Sequence, residues 1–202
     1  MQSFGSIMFT DAVRARQREI GSEETYARIA GRPVPDHLGE DERAFIATRD
    51  SMYVATVNAD GWPYVQHRGG PAGFLKVLGP TRIGFADYRG NRQLVTGGNL
   101  DGDARISLFL MDYPRRARLK LLGHARMIAP DDDPSLTEAV TDEAAPIERV
   151  VVIDVVAFDW NCPKYITPRF TEAEIESMLG PRLRELAEEN ARLKAALAEK
   201  EP

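Results

Sequence analysis

The chain is predicted to be mainly β with flanking helices (α+β), its strands forming a closed or half-closed antiparallel barrel. Three observations carry that reading. Short runs rich in β-branched and aromatic residues recur between residues 52 and 158, the usage that suits a pleated, half-buried surface. Turn signals divide them at short intervals, chiefly Asn58-Ala59-Asp60-Gly61 and Gly79-Pro80, where Asp-Gly and Gly-Pro supply tight bends. Charged segments with helical spacing stand before and after the strand region.

Residues 11–30 carry Val13, Ile20, Tyr26 and Ile29 among many charges. They read as one or two short helices broken at Gly21-Ser22, with Ser22 capping the second. Gly31-Arg32-Pro33-Val34-Pro35 ends them, and residues 40–49, centred on Phe45 and Ile46, read as another helix. The simplest role for this N-terminal part is packing over one end of the barrel. Strands are then expected in quick succession at 52–57, 62–68, 73–78 and 81–86. Residues 90–100 interrupt them, with a short helix expected to start at Arg89-Gly90-Asn91. Strands resume at 106–111 and 118–128. Asp131-Asp132-Asp133-Pro134 reads as an acidic surface loop, and 135–141 as a short helix. Residues 150–158 are an apolar run with Asp154 inside it, which predicts a strand buried on both faces. Thr171-Glu172-Ala173-Glu174 has capping-box spacing. A helix runs from there to about Leu179, and Gly180-Pro181 marks a break and restart. Leu179, Leu183, Leu186, Asn190, Leu193 and Leu197 alternate by four and three residues, a heptad seam with an asparagine on it. Either two such helices pair as a dimeric coiled coil, or one amphipathic helix lies on the barrel. The expected organisation is a helical segment at 1–37, the barrel at 38–168 and the C-terminal helix at 169–202.

At 202 residues, 43% hydrophobic, the chain is long enough for one domain with a substantial core. Its net charge of −5 argues against a nonspecific grip on nucleic acid. No apolar run approaches the ~20 residues needed to cross a bilayer, so no membrane partner is expected. The start, Met1-Gln2-Ser3-Phe4-Gly5, has no secretory pattern. A single cysteine, Cys162, fits a reducing compartment, and the cytoplasm is the expected location. His37, His67 and His124 show no metal-ligand spacing, so no metal is expected. Nucleophile-elbow, Walker and dinucleotide-binding fingerprints are also missing.

The chemistry concentrates at 62–93. Two apolar runs there are bordered by arginine-bearing, glycine-containing segments, Gln66-His67-Arg68-Gly69-Gly70 and Asp87-Tyr88-Arg89-Gly90-Asn91-Arg92-Gln93. Antiparallel strands would bring both borders to one rim of a sheet. Guanidinium forks suit phosphate, glycines let a backbone approach a flat ligand, and a helix start favours an anion. Together they predict a site for a phosphorylated, planar cofactor. The competing reading is solvent-exposed arginines beside turn-forming residues.

His67-Arg68-Gly69-Gly70, Gly90-Asn91-Arg92 and Asn161-Cys162-Pro163-Lys164 together resemble the pyridoxamine 5'-phosphate oxidase-like flavoproteins, most closely their predicted flavin-nucleotide-binding branch. The resemblance covers residues 38–168. It implies an antiparallel split β-barrel of FMN-binding type, working as a homodimer with FMN at the interface and a small-molecule substrate over the ring. Arg68 and Arg92 are then the phosphate or flavin contacts, His67 to Gly70 lie against the isoalloxazine, and Gln66 is a further cofactor contact. Asp87 and Asn91 take up ribityl hydroxyls or the pyrimidine edge. Arg118 and Lys164 reach the flavin or the partner subunit and add positive charge, which favours reduced flavin. Asn161 stands where the family's pattern has histidine, and Cys162 reads as packing rather than catalysis. The closing segment of true pyridoxamine phosphate oxidases is replaced by the heptad helix. The implied function is a flavin-dependent oxidoreductase; the alternative is a non-catalytic flavin- or haem-binding sensor or carrier.

Overall fold

A computed structural model describes residues 1–35, 37–142, 146–160 and 163–198. Two compact units result. The first comprises Met1–Asp112 and Ala117–Pro163, the second Tyr113–Arg116 and the chain from Lys164 onward.

In the first unit, seven strands form one sheet: β1 (Ser51–Val57), β2 (Pro63–Gly69), β3 (Lys76–Val77), β4 (Arg82–Tyr88), β5 (Arg105–Asp112), β6 (Ala117–Ile128) and β7 (Ile147–Trp160). Their order is β2-β1-β5-β6-β7-β4-β3, and every neighbouring pair is antiparallel. The edges β2 and β3 do not pair, so the sheet is a split barrel rather than a closed one. The helices of this unit are α1 (Phe4–Met8), α2 (Asp11–Glu19), α3 (Glu23–Ala30), α4 (Glu40–Ala47), α5 (Val95–Gly102) and α6 (Pro134–Val140). Among the described residues, no helix is long and apolar enough to cross a membrane.

The β1–β2 hairpin follows from its turn residues. Gly61 takes φ +84, a conformation open to glycine at no steric cost. Asn58 Oδ1 accepts hydrogen bonds from the N–H groups of Asp60 and Trp62. The expectation of four consecutive strands needs correction after this hairpin. Only Lys76–Val77 of the expected 73–78 strand is paired. Gly73 takes φ +82, and Phe74 and Leu75 turn inward to 5% and 1% exposure, so core burial overrides the ladder there.

The β7 run is buried on both faces only at Val150–Ile153. Val151 and Ile153 join the main core with Leu108, Leu110, Leu119 and Leu121. Val150 and Val152 pack on the other face with Ala86 and Val140, which explains the loss of period-2 alternation. Asp154 emerges at the surface between Arg82 on β4 and Arg126 on β6. The hydrogen bond from Arg82, with its charge and that of Arg126, lowers the carboxyl's pKa against a partial burial penalty. A buried ion pair fixes α4 to the sheet. Arg49 Nη2 donates to Asp112 Oδ2 at 2.8 Å, with side-chain exposures of 11% and 4%. Arg49 Nη1 also donates to the Met111 carbonyl.

β6 shifts register against β7 between Leu122 and Gly123. A Cβ on Gly123 would sit 2.7 Å from both the Asp154 carbonyl oxygen and Ile153 Cγ2. Gly123→Ala is therefore expected to cost about 1–3 kcal/mol, read from the urea midpoint; an unchanged midpoint would show that the strands simply part.

Ser22 does not cap α3: it is in the αR region with no side-chain cap bond, and its hydroxyl donates to the Gln17 carbonyl instead. In the second unit, α7 (Glu172–Ala198) is continuous, with Pro181 inside it. Its Thr171–Glu174 capping box forms in both directions. Proline removes one helical N–H, but Gly180 before it offers no Cβ to the ring. The Glu176–Arg184 ion pair crosses over that glycine at 2.6 Å, bracing the turn where a break was expected.

Candidate functional site

The sheet curls far enough for its first and sixth strands to meet. Arg68 on β2 donates from Nη1 to Asp87 Oδ1 on β4 at 2.5 Å. Beside this bond lies a cavity of about 260 Å³, walled by the inward residues of β2, the end of β4, the 90–94 loop, the first turn of α5 and the start of β7. A second hollow of about 510 Å³ adjoins it and shares Leu94, Gly97, Met127, Glu148 and Arg149.

Period-2 alternation decides which β2 residues reach the cavity. Tyr64, Gln66 and Arg68 line it. The Thr96 hydroxyl donates to Gln66 Oε1 at 2.8 Å. Asn99 Nδ2 donates to Thr56 Oγ1 at 2.9 Å, so α5 is pinned to both β1 and β2. The expected helix start at Arg89-Gly90-Asn91 is displaced: α5 begins at Val95. Arg92 and Leu94 take φ +57 and +58, which an α-helix does not accept. Asn91 Oδ1 accepts from the Gln93 N–H in this loop.

Arg92 thus lies before the helix rather than in its first turn. Its guanidinium donates through Nε and Nη2 to Glu148 Oε1 at 2.8 and 2.5 Å. Arg68 and Arg92 each face a carboxylate, Asp87 and Glu148. Arg149, the third arginine on the cavity wall, has no ion pair among the described residues. Its Nη1 lies 3.4 Å from where a Cβ on Gly97 would be, over the first turn of α5, whose N–H groups have no helical partners. Arg68 Nε is buried without a hydrogen-bond acceptor. Donors therefore exceed acceptors here, and three guanidiniums stand against two carboxylates.

The expected site residues thus divide. Gln66, Arg68, Asp87, Asn91 and Arg92 share the cavity. His67 points to the other face of β2, its ring edge-on to Tyr53 at 5.7 Å. Gly69 closes the strand. Gly70 donates its N–H to the Asp50 carbonyl, and a Cβ there would collide with Phe74 at 2.7 Å, so its lack of a side chain serves packing. Arg118 stands on the face of β6 opposite buried Leu119 and Leu121, its guanidinium 5.8 Å from the Phe109 ring centre. Its Nε has no acceptor. Lys164 belongs to the second unit, its ammonium over the Tyr165 ring. Asn161 and Cys162 lie outside the described residues. Among the described residues no cluster of His, Cys, Asp or Glu could hold a metal ion.

Sequence reasoning missed Glu148, Arg149 and Thr96. The first two form a charged pair directly before the apolar run 150–153, a signal that they sit at the mouth of that strand.

Residues 38–159 match the protein family described as Pyridoxamine 5'-phosphate oxidase. No curated protein matches the chain in sequence. Similar solved structures include HupZ of Group A Streptococcus, at 15% identity over 65% of this chain and 98% of that one, with a TM-score of 0.49. A putative pyridoxamine 5'-phosphate oxidase of Lactobacillus delbrueckii is similar at 21% identity over 62% and 95%, TM-score 0.48. The haem storage protein HutZ of Vibrio cholerae is similar at 13% identity over 61% and 94%, TM-score 0.39.

Proposed function

The chain belongs to the pyridoxamine 5'-phosphate oxidase family, and from that premise we propose that it is an FMN-binding flavoprotein acting as an oxidoreductase on a small planar substrate. The observation that carries this reading is the excess of cationic donors in one cavity: Arg68, Arg92 and Arg149 beside the open N–H groups of α5. A phosphate dianion is the chemistry that such a set recognises. The 260 Å³ cavity is near the lower limit of ligand sites, roughly 300–1,000 Å³. It suits the phosphate and ribityl end of FMN, with the ring extending towards the mouth and the partner of a homodimer.

Within this reading Arg149 and Arg92 hold the phosphate. Thr96 keeps the Gln66 amide oriented, leaving its Nε2 donors for a carbonyl or hydroxyl. Asp87 holds Arg68 in place across the split, and its second oxygen is an acceptor for ribityl hydroxyls. Bound FMN would supply reversible two-electron transfer with a small substrate. No side chain on the cavity wall is placed as an obligatory acid or base, so the protein contributes position, charge and exclusion of water.

Anaerobic mixing of the flavin-loaded protein with NADH or NADPH tests the catalytic half of the proposal. Bleaching of the flavin absorbance by either nucleotide on the timescale of turnover is expected. Loaded protein inert to both would favour a carrier or sensor.

A further inference from the structure

Helix α7 carries an apolar stripe open to solvent. Leu179, Leu183, Leu186, Leu193 and Leu197 are 42–65% exposed. Because the helix runs unbroken through Pro181, these residues fall on one continuous seam. Leu183, Asn190 and Leu197 occupy heptad position a, and Leu179, Leu186 and Leu193 position d.

We propose that this seam pairs with the same seam of a second copy of the chain, as a parallel, in-register two-stranded coil. Three features select that occupant over a different protein or an antiparallel arrangement. First, Asn190 sits at an a position. In a parallel register its amide meets Asn190 of the partner subunit and each satisfies the other, whereas an antiparallel or slipped pairing sets an amide against leucine. Second, the flanking charges are complementary in this register. Position g of one helix faces position e of the next heptad on the other, so Glu189 meets Lys194 of the partner subunit, twice by symmetry. Third, Glu189 and Lys194 have no ion pair within their own chain among the described residues, whereas Arg182 pairs with Glu185 and Arg184 with Glu176.

The seam spans fewer than three heptads, which is short for an isolated coil. Its closure therefore rests on the homodimer reading above: a dimer already formed through the barrel holds two copies of α7 at about millimolar effective concentration. A two-fold axis relating the barrels is compatible with parallel helices.

The test uses the full chain with its only thiol removed by Cys162→Ser, carrying either Leu186→Cys at a seam position or Glu188→Cys on the outer face. Like residues at a core position of a parallel pair lie within disulfide reach. Under mild oxidation Leu186→Cys is expected to become a covalent dimer on a denaturing gel, and Glu188→Cys is expected to stay monomeric. Sedimentation of the reduced proteins separates the two claims. A dimer in which Leu186→Cys does not cross-link, or Glu188→Cys cross-links equally, overturns the helix pairing alone. A monomer overturns the pairing and the homodimer together. Charge reversal supplies a second readout without new thiols. Glu189→Lys is expected to lower the melting temperature of the helical signal, and adding Lys194→Glu to restore it; no restoration contradicts the proposed register.

Discussion

Arg49→Ala is expected to remove about 3–5 kcal/mol of folding stability, because it breaks a buried ion pair from one side. The Asp112 side chain is only 4% exposed and receives Arg49 Nη2 at 2.8 Å. The same guanidinium caps the Met111 carbonyl and packs 4.5 Å from the Phe45 ring centre. Removing it costs α4 its anchor on β5 and takes a charged donor from both the Asp112 carboxylate and the Met111 carbonyl. Surface pairs such as Arg16–Glu19, exposed by 81% and 59%, contribute at most about 1 kcal/mol, and their loss serves as the control. Urea unfolding checks the magnitude. The double substitution Arg49→Met with Asp112→Leu should cost less than Arg49→Ala, since it replaces both buried charges with apolar groups. A single-variant loss near that of the surface control would contradict this assignment.

The second large effect concerns the cavity. Arg149→Ala and Arg92→Ala are each expected to weaken FMN by about tenfold or more, one charge-assisted hydrogen bond being worth roughly 1.5–3 kcal/mol. Riboflavin, which has the same ring and ribityl chain but no phosphate, should lose little. Arg149→Ala is the cleaner experiment because no carboxylate is left behind. Arg92→Ala also leaves Glu148 with only the longer 4.0 Å contact to Arg89, so more of its negative charge repels a phosphate and enlarges the loss. Arg68 is a poorer choice: its removal unties β2 from Asp87 and confounds binding with folding. Titrating both ligands by quenching of flavin fluorescence checks the prediction. Equal weakening of FMN and riboflavin would refute the phosphate assignment.

The fold class was legible because local signals and burial agreed. Asn58 to Gly61 makes the turn its residues dictate, and the 118–128 and 150–158 runs form long paired strands. The errors arose where tertiary packing won. Phe74 and Leu75 look like strand residues, yet they plug the core while the backbone turns at Gly73. Pro181 looks like a helix stop, yet a preceding glycine and an ion pair across it carry the helix through. The cavity was legible in part. Gln66, Arg68, Asp87, Asn91 and Arg92 converge as one constellation, although β2 and β4 stand five places apart in the sheet and only its curl brings them together. His67 could have been set apart from sequence alone, since a strand cannot turn residues 66, 67 and 68 to one side. Arg149 could not, because its lack of an ion pair among the described residues goes with Arg92 having taken Glu148.

The central claim is that this arginine-lined cavity takes a phosphorylated flavin. Absorption and mass spectra of whatever small molecule leaves the freshly purified protein on denaturation test it most directly. The account predicts a two-banded flavin spectrum and the mass of FMN. A Soret band with the mass of haem, or riboflavin retained as firmly as FMN, would contradict it.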